Sequence, residues 1–261
     1  MKKWCLFLSV YLCLCILAAC GATGSGKPAP SGTPSEEPQT GGETTQPASA
    51  AIICRVVTAE DGRLLLAGWG EDPNIYTLFR EENDLRPGEV VEICYGGGLL
   101  ETWPVQFGDV VSAEVCPDGF NDLCALYLGV LEDLWAVDPG LNSDGLTYIG
   151  VDLSGTSLSE SERAAVAWAF AGRHGAQLVT GTWQELADQG YIDREHLQWE
   201  EGCLFTITEK PVVGSYDLKP IAFDAQKWRS GTGAYFFNSC TAVQTEDGSW
   251  GDYTVGSQAI S

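Results

Sequence analysis

The chain has 261 residues and carries 36 acidic against 14 basic side chains, a formal charge of −22. A surface of that sign repels nucleic acid and anionic lipid headgroups and stays soluble, which argues against both as partners. Nine Trp, nine Tyr and nine Phe can fill a core, and the length leaves room for one or two domains.

The first element is an address. Lys2 and Lys3 precede an apolar run from Trp4 to Ala19 in which Ser9 is the only polar residue, and Leu17-Ala18-Ala19-Cys20 follows with small side chains where a signal peptidase needs them. At about 1.5 Å per residue this run would reach only ~24 Å as a helix, short of the ~30 Å hydrocarbon core, so a cleaved signal fits better than a span. The four residues at its end resemble the lipobox of bacterial lipoproteins. That resemblance implies cleavage between Ala19 and Cys20 and acylation of the Cys20 sulfur, with residues 1–19 as signal peptide. It also implies a membrane partner reached through a lipid anchor and a body facing outside the cytoplasm. Loss of the two leader lysines takes the formal charge to −24.

Residues 20–50 hold the lipidated cysteine and a linker of Gly, Pro, Ser, Thr, Ala and Glu with no apolar period, which reads as a tether. Six cysteines remain beyond it: Cys54, Cys94, Cys116, Cys124, Cys203 and Cys240. In an exported protein they can form three disulfides, and position suggests Cys54 with Cys94, Cys116 with Cys124, and Cys203 with Cys240. The competing reading is that they are small buried hydrophobes. Zinc is disfavoured, because no Cys-x-x-Cys pair occurs and His174 and His196 have no ligand spacing to any cysteine.

Residues 51–118 read as six short strands: 52–57, 63–67, 74–79, 90–95, 99–102 and 110–115. Glu60-Asp61-Gly62 suits a tight hairpin, Arg86-Pro87-Gly88 a turn, and Gly96-Gly97-Gly98 a hairpin loop rather than a phosphate cradle, since Leu99, Leu100 and Glu101 follow it. The spacing and the stretch from Gly88 to Gln106 resemble the small OB-like β-domains of uncharacterised Gram-positive lipoproteins, which implies a small barrel and no particular activity.

Residues 119–261 change period. Leu123, Tyr127, Val130 and Leu134 form one stripe of a helix over 122–137 capped by Asn121, and Pro139-Gly140 ends it. A strand over 146–153 follows. Ser159 with Glu162 is a capping-box pattern opening a helix to Arg173 stopped by Gly175, and Thr182 with Glu185 repeats it for a short helix ending at Gly190. Strands are expected over 203–208, 220–228, 233–243 and 250–260. The predicted fold class is therefore α+β: an all-β, OB-like domain, then an α+β domain whose helices pack on an antiparallel meander.

Chemistry is sparse. His174 reads as a helix-end residue and His196 as a surface one, and no Gly-x-Ser-x-Gly elbow occurs. Asn142-Ser143-Asp144-Gly145 fits only the middle of a calcium loop, leaving a looser cation site around Asp138, Asn142 and Asp144. Asp118, Asp122, Glu132 and Asp133 are candidate convergent carboxylates. Lys227, Trp228 and Arg229 are the densest basic cluster of the folded part and a candidate binding rim; the plainer alternative packs Trp228 inward and sets the cations against carboxylates. No catalytic residue, metal ligand or cofactor fingerprint is assigned. The expected function is non-catalytic binding or scaffolding of an extracytoplasmic protein or ligand by a membrane-anchored lipoprotein. The alternatives are an extracytoplasmic hydrolase using carboxylates and a sensor or inhibitor of a membrane partner.

Overall fold

A computed structural model describes residues 50–80, 84–142, 146–212 and 219–261. Ala19, Cys20 and the expected signal peptide and linker up to residue 49 lie outside the described residues, as does Asp144. Among the described residues no helix is long and apolar enough to cross a membrane.

Five strands come first: β1 (Ala50–Glu60), β2 (Arg63–Gly68), β3 (Ile75–Phe79), β4 (Val90–Leu100) and β5 (Val105–Val115). They close into a barrel in the order β1-β2-β3-β5-β4. Long β1 serves two neighbours, pairing Ala50–Arg55 with β4 and Cys54–Glu60 with β2, and a register shift between Val56 and Thr58 bends it from one to the other. The β1–β2 turn has Asp61 at φ 48° and Gly62 at φ 72°, the primed geometry that matches strand twist. Closure comes from a short parallel contact, Tyr76 with Val105 and Thr77 with Gln106.

The run Leu64-Leu65-Leu66-Ala67 does not alternate because both faces of β2 are buried. Leu64 and Leu66 fill the barrel with Cys54, Val56, Tyr76 and Ile93, while Leu65 and Ala67 face the helices that follow. The sequence reading needs one correction here. The glycine triplet is not a loop, and 99–102 is not a strand of its own. β4 runs through to Leu100, with Gly97 (φ 69°) and Gly98 (φ 83°) together opposing Gly108 as a bulge. A Cβ on Gly108 would sit 2.8 Å from the carbonyl oxygens of Gly96 and Gly98, so the bulge needs a glycine on both strands.

The rest comprises α1 (Leu123–Ala136), a 3₁₀ turn (Pro139–Leu141), β6 (Tyr148–Gly155), α2 (Glu160–Arg173), β7 (Gln177–Thr180), α3 (Trp183–Asp188), β8 (Gly202–Lys210), β9 (Pro220–Ser230), β10 (Gly233–Val243) and β11 (Ser257–Ile260). The sheet order is β11-β10-β9-β8-β6-β7. β6 is parallel to both β7 and β8, and only β8 to β11 form an antiparallel meander. The expectation of a wholly antiparallel sheet is thus corrected. The four-residue edge strand β7, too short to show a period, turns β6-α2-β7 into a parallel crossover. The expected strand over 250–260 reduces to β11, preceded by the bridges Gln244–Trp250 and Thr241–Thr254.

Both capping boxes form. Ser159 Oγ accepts from Glu162 N and Ser159 N donates to Glu162 Oε2; Thr182 and Glu185 repeat the pattern. One apolar core runs from the barrel's outer face (Val57, Leu65, Ile75) through Tyr127, Leu131, Val166 and Phe170 to Ile149, Phe205 and Phe223 of the sheet. The helices therefore lie between barrel and sheet. The alanines of α2 let both layers approach, and Ala165, Ala167 and Ala171 are all buried.

Two buried cations direct this packing. Arg55, on β1, donates Nε to Glu162 Oε1 at 2.7 Å and Nη1 to the carbonyls of Gly88, Gly119 and Asn121, while its guanidinium lies 4.8 Å over the Trp69 ring. Lys227, on β9, is fully buried and donates Nζ to Val137 O, to Asp138 O at 3.0 Å and to Asn142 Oδ1 at 2.6 Å. Its charge therefore sits at the C-terminal end of α1, where orphan carbonyls and the helix dipole favour a cation.

Candidate functional site

The structure distributes the sequence candidates widely. Lys227, Trp228 and Arg229 do not form a rim. Lys227 is buried under α1, and burial holds its ammonium below the ordinary lysine pKa. Trp228 packs edge-on to Trp183, with ring centroids 5.8 Å apart. Arg229 donates to Leu141 O at 3.3 Å and to Glu200 O at 2.8 Å. Alternation along β9 does place the two cations on one side, but that side is occupied by the chain around α1 rather than by solvent.

All six cysteines are free thiols. Two of the suggested pairings fail on strand geometry. Cys54 aligns with Val91 and Cys94 with Ala51, an offset of three residues that puts the two thiols about 10 Å apart along the ladder and on opposite faces. Cys203 and Cys240 lie on β8 and β10 with β9 between them, and they are also far out of register: Leu204, next to Cys203, aligns with Trp228 and Cys240 with Phe223, so the two thiols are on the order of 20 Å apart. Cys124 is buried on α1, whereas Cys116 ends β5's hairpin, its N–H on Val90 O. Burial pushes the Cys203 thiol up to about 12 and the Cys240 thiol to about 11, and drives those of Cys54 and Cys124 higher still.

Asn142, Asp122, Asp133, Glu132, His174 and His196 each have a partner elsewhere. Asn142 Oδ1 and the Asp138 carbonyl both accept from Lys227 Nζ, so the expected looser cation site already faces a lysine ammonium. Asp122 accepts from Trp250 N, Asp133 from Tyr253 Oη, and Glu132 from Arg173 and His174. These three carboxylates thus answer to different partners. His174 closes α2 and its ring stacks on Trp135 at 3.7 Å. His196 Nδ1 meets Asp193 Oδ2 at 2.7 Å on the surface.

A cleft of about 680 Å³ lies where none of those candidates was sought. It is lined by Tyr148, Tyr191, Trp199, Asp193, Glu200 and Glu201, together with Gly190 and Gln198. Tyr148 starts β6; the others come from the segment between α3 and β8. Trp199 is buried against Leu186, Ile192 and Leu204 and forms the floor. Two glycines make room for its indole: a Cβ on Gly202 would lie 2.0 Å from the ring, and one on Gly150 2.6 Å. The Tyr148 ring stands edge-on to Tyr191 at 5.4 Å and stacks toward Trp199 at 6.4 Å.

Backbone pairing makes the walls firm. Asp193 and Gln198 exchange N–H···O bonds, Trp199 N donates to Arg229 O, and the Arg229 guanidinium holds Glu200 O from behind. So Arg229 shapes this cleft without lining it. The lining holds three carboxylates and no basic side chain. Amide and ring hydrogen bonds from His196 keep Asp193 below the usual carboxylate range, and therefore charged. Such a site attracts cations through both the carboxylates and the aromatic faces.

A smaller crevice of about 230 Å³ lies past the C-terminal ends of β6 and β7. Among its polar groups Asp152 accepts from Ser154, Arg163 donates to Leu158 O and Glu185 accepts from Thr182. The aromatic cleft was missed in the sequence because 190–201 shows no period and reads as a polar connection. Its only visible signal is Tyr191, Trp199 and four acids, Asp193, Glu195, Glu200 and Glu201, crowded into eleven residues. No family model, curated protein or solved structure matches the chain.

Proposed function

We propose that the chain is a lipid-anchored, extracytoplasmic binding protein that takes a small ammonium-bearing ligand in the cleft floored by Trp199. The Leu17-Ala18-Ala19-Cys20 sequence supports the mooring, and the barrel's strand order with its parallel β3–β5 closure supports the OB-like assignment of the first domain. The observation that carries the binding role is an aromatic-walled cleft edged by Asp193, Glu200 and Glu201 with no lining cation to neutralise them. A net charge far below zero draws cations toward such a site and raises their encounter rate.

The anchor is tested by detergent partition of the intact protein against Cys20→Ala. The intact protein enters the detergent phase and the variant does not; recovery of the intact protein in the aqueous phase refutes lipidation. The binding role is tested on the mature chain by titrating tetramethylammonium, lysine methyl ester and spermidine while following tryptophan emission at constant ionic strength. Saturable change that weakens at least tenfold in Tyr191→Ala and in Glu200→Gln supports the cleft. A linear response, or one indifferent to both substitutions, refutes it.

A further inference from the structure

The β4–β5 hairpin carries apolar side chains that no part of the described chain covers. Leu99, Leu100 and Trp103 are 39%, 50% and 59% exposed and fall within five residues of each other. Glu101 is the only charged residue between Gly96 and Gly108, in a chain where 36 acids and 14 bases occur among 261 residues. The tip is held in shape: Thr102 N donates to Leu100 O at 2.8 Å and Thr102 Oγ1 to Pro104 O at 2.7 Å. Below it the glycine bulge of Gly97, Gly98 and Gly108 redirects the strands.

The place where the chain enters the barrel suggests what covers this tip. Ala50, the first described residue, is paired with Tyr95, and β4 continues only five residues beyond that pair to Leu100, at most about 16 Å. Cys20 lies thirty residues before Ala50 in the sequence, and a linker of that Gly-, Pro-, Ser- and Thr-rich composition would span about 30 Å root-mean-square. The tip thus lies at the end of the barrel where the described chain begins and from which the sequence leads back to Cys20. Trp and Leu are the side chains that partition into the boundary between headgroups and acyl chains.

We propose that the β4–β5 tip is a second membrane contact, dipping Leu99, Leu100 and Trp103 into the interface of the bilayer to which the chain is anchored. The proposal rests on the lipid-anchor reading. Three side chains hold a free protein weakly. A tether that confines the tip near the surface at an effective concentration on the order of millimolar makes the same contact persistent. Because the rest of the chain is acidic, the tip engages zwitterionic lipid better than anionic lipid, and salt narrows the difference.

The test uses residues 20–261 with Cys20 replaced by serine and an N-terminal hexahistidine in place of the lipid. This protein is presented to phosphatidylcholine vesicles containing brominated lipid, with or without nickel-chelating lipid. Bromine quenching of tryptophan is expected on chelating vesicles, at least fivefold weaker on vesicles without chelator and on Leu99→Asn/Leu100→Asn, and absent in Trp103→Phe. Thirty per cent phosphatidylglycerol lowers it and added salt restores it. No quenching on chelating vesicles overturns the proposal, as does quenching unchanged in Trp103→Phe, which would put another face on the membrane. Concentration-dependent self-association lost in Leu100→Asn, without quenching, overturns it in favour of a second copy as the cover. Since the chelator supplies the mooring, failure here leaves the Cys20 reading intact, and failure of lipidation in cells leaves the tip result standing.

Discussion

Inside the barrel, Cys54, Val56, Leu64, Leu66, Tyr76 and Ile93 bury one another across strands that are neighbours in the closed sheet. The outer faces of the same strands, at Val57, Leu65, Ala67 and Ile75, are buried by helices from far along the chain. The first core needs only alternation and short turns. The second joins separately formed pieces, and apolar area alone does not say how they should be oriented, because burial is non-directional. Direction comes from polar groups with one solution each: Arg55 on Glu162 and three carbonyls, Ser161 Oγ on Gly68 O at 2.7 Å, and Lys227 under α1. The two cores thus separate what makes a sheet close from what makes layers dock.

The sharpest way to break this contrast is Arg55→Met, which keeps apolar volume and removes every donor. Glu162 and the carbonyls of Gly88, Gly119 and Asn121 lose their partner, and stability should fall by about 3–5 kcal/mol. If docking is the step that Arg55 directs, urea unfolding followed by tryptophan emission and by far-ultraviolet dichroism should no longer coincide, the barrel outlasting the layer. A loss under about 1 kcal/mol with coincident transitions would mean that apolar burial suffices. Lys227→Met comes next, at about 2–4 kcal/mol, because α1 carbonyls and Asn142 are left unpaired inside the layer. Its unfolding should stay a single transition, since the barrel junction is untouched.

The same contrast explains what the sequence made legible. The first four barrel strands, both capping boxes and the Asp61-Gly62 turn are local patterns, and they stand where β-branched and apolar runs between turn residues, Ser159 with Glu162 and Thr182 with Glu185 put them. Gly96-Gly97-Gly98 misled because positive φ serves a bulge as well as a loop, and only the partner Gly108 decides between them. β7 was invisible because its place at a parallel edge is set by β6. Lys227 looked like a surface cation for want of any local sign that Val137, Asp138 and Asn142 would converge on it. The cleft is a long-range object too, with Tyr148 brought beside Tyr191 and Trp199 by the sheet.

Alkaline pH probes the two cores together. Cys54 belongs to the barrel interior, and Cys124, Cys203 and Cys240 to the layered core; all four are buried thiols with raised pKa. Each keeps its proton in the folded state after the unfolded chain, at the ordinary thiol value of 9.0, has begun to lose it. Below pH 9 their contribution is fully present, and it is lost as pH rises toward each folded pKa. Between pH 9 and 10 each thiol should cost roughly 1 kcal/mol of stability under reducing conditions. Cys203→Ala should flatten that slope by its share in denaturant titrations at the two pH values, and an unchanged slope would show that the thiol does not ionise on unfolding in this range.

The finest comparison sets one capping box against the other. Ser159 and Thr182 make the same reciprocal bonds to Glu162 and Glu185, but Glu162 also receives Arg55 and Ser159 Oγ lies 3.1 Å from Ser161 Oγ, which reaches the barrel. The second box faces solvent and serves a helix of six residues. By capping alone the two alanine variants should each lose about 1 kcal/mol. If Ser159 also positions the carboxylate that Arg55 binds, Ser159→Ala should exceed Thr182→Ala, and a double-mutant cycle with Arg55→Met should show coupling of about 0.5 kcal/mol or more for Ser159 and none for Thr182. Equal losses with no coupling would reduce Ser159 to an ordinary helix cap and leave Arg55 alone to direct the docking of the layers.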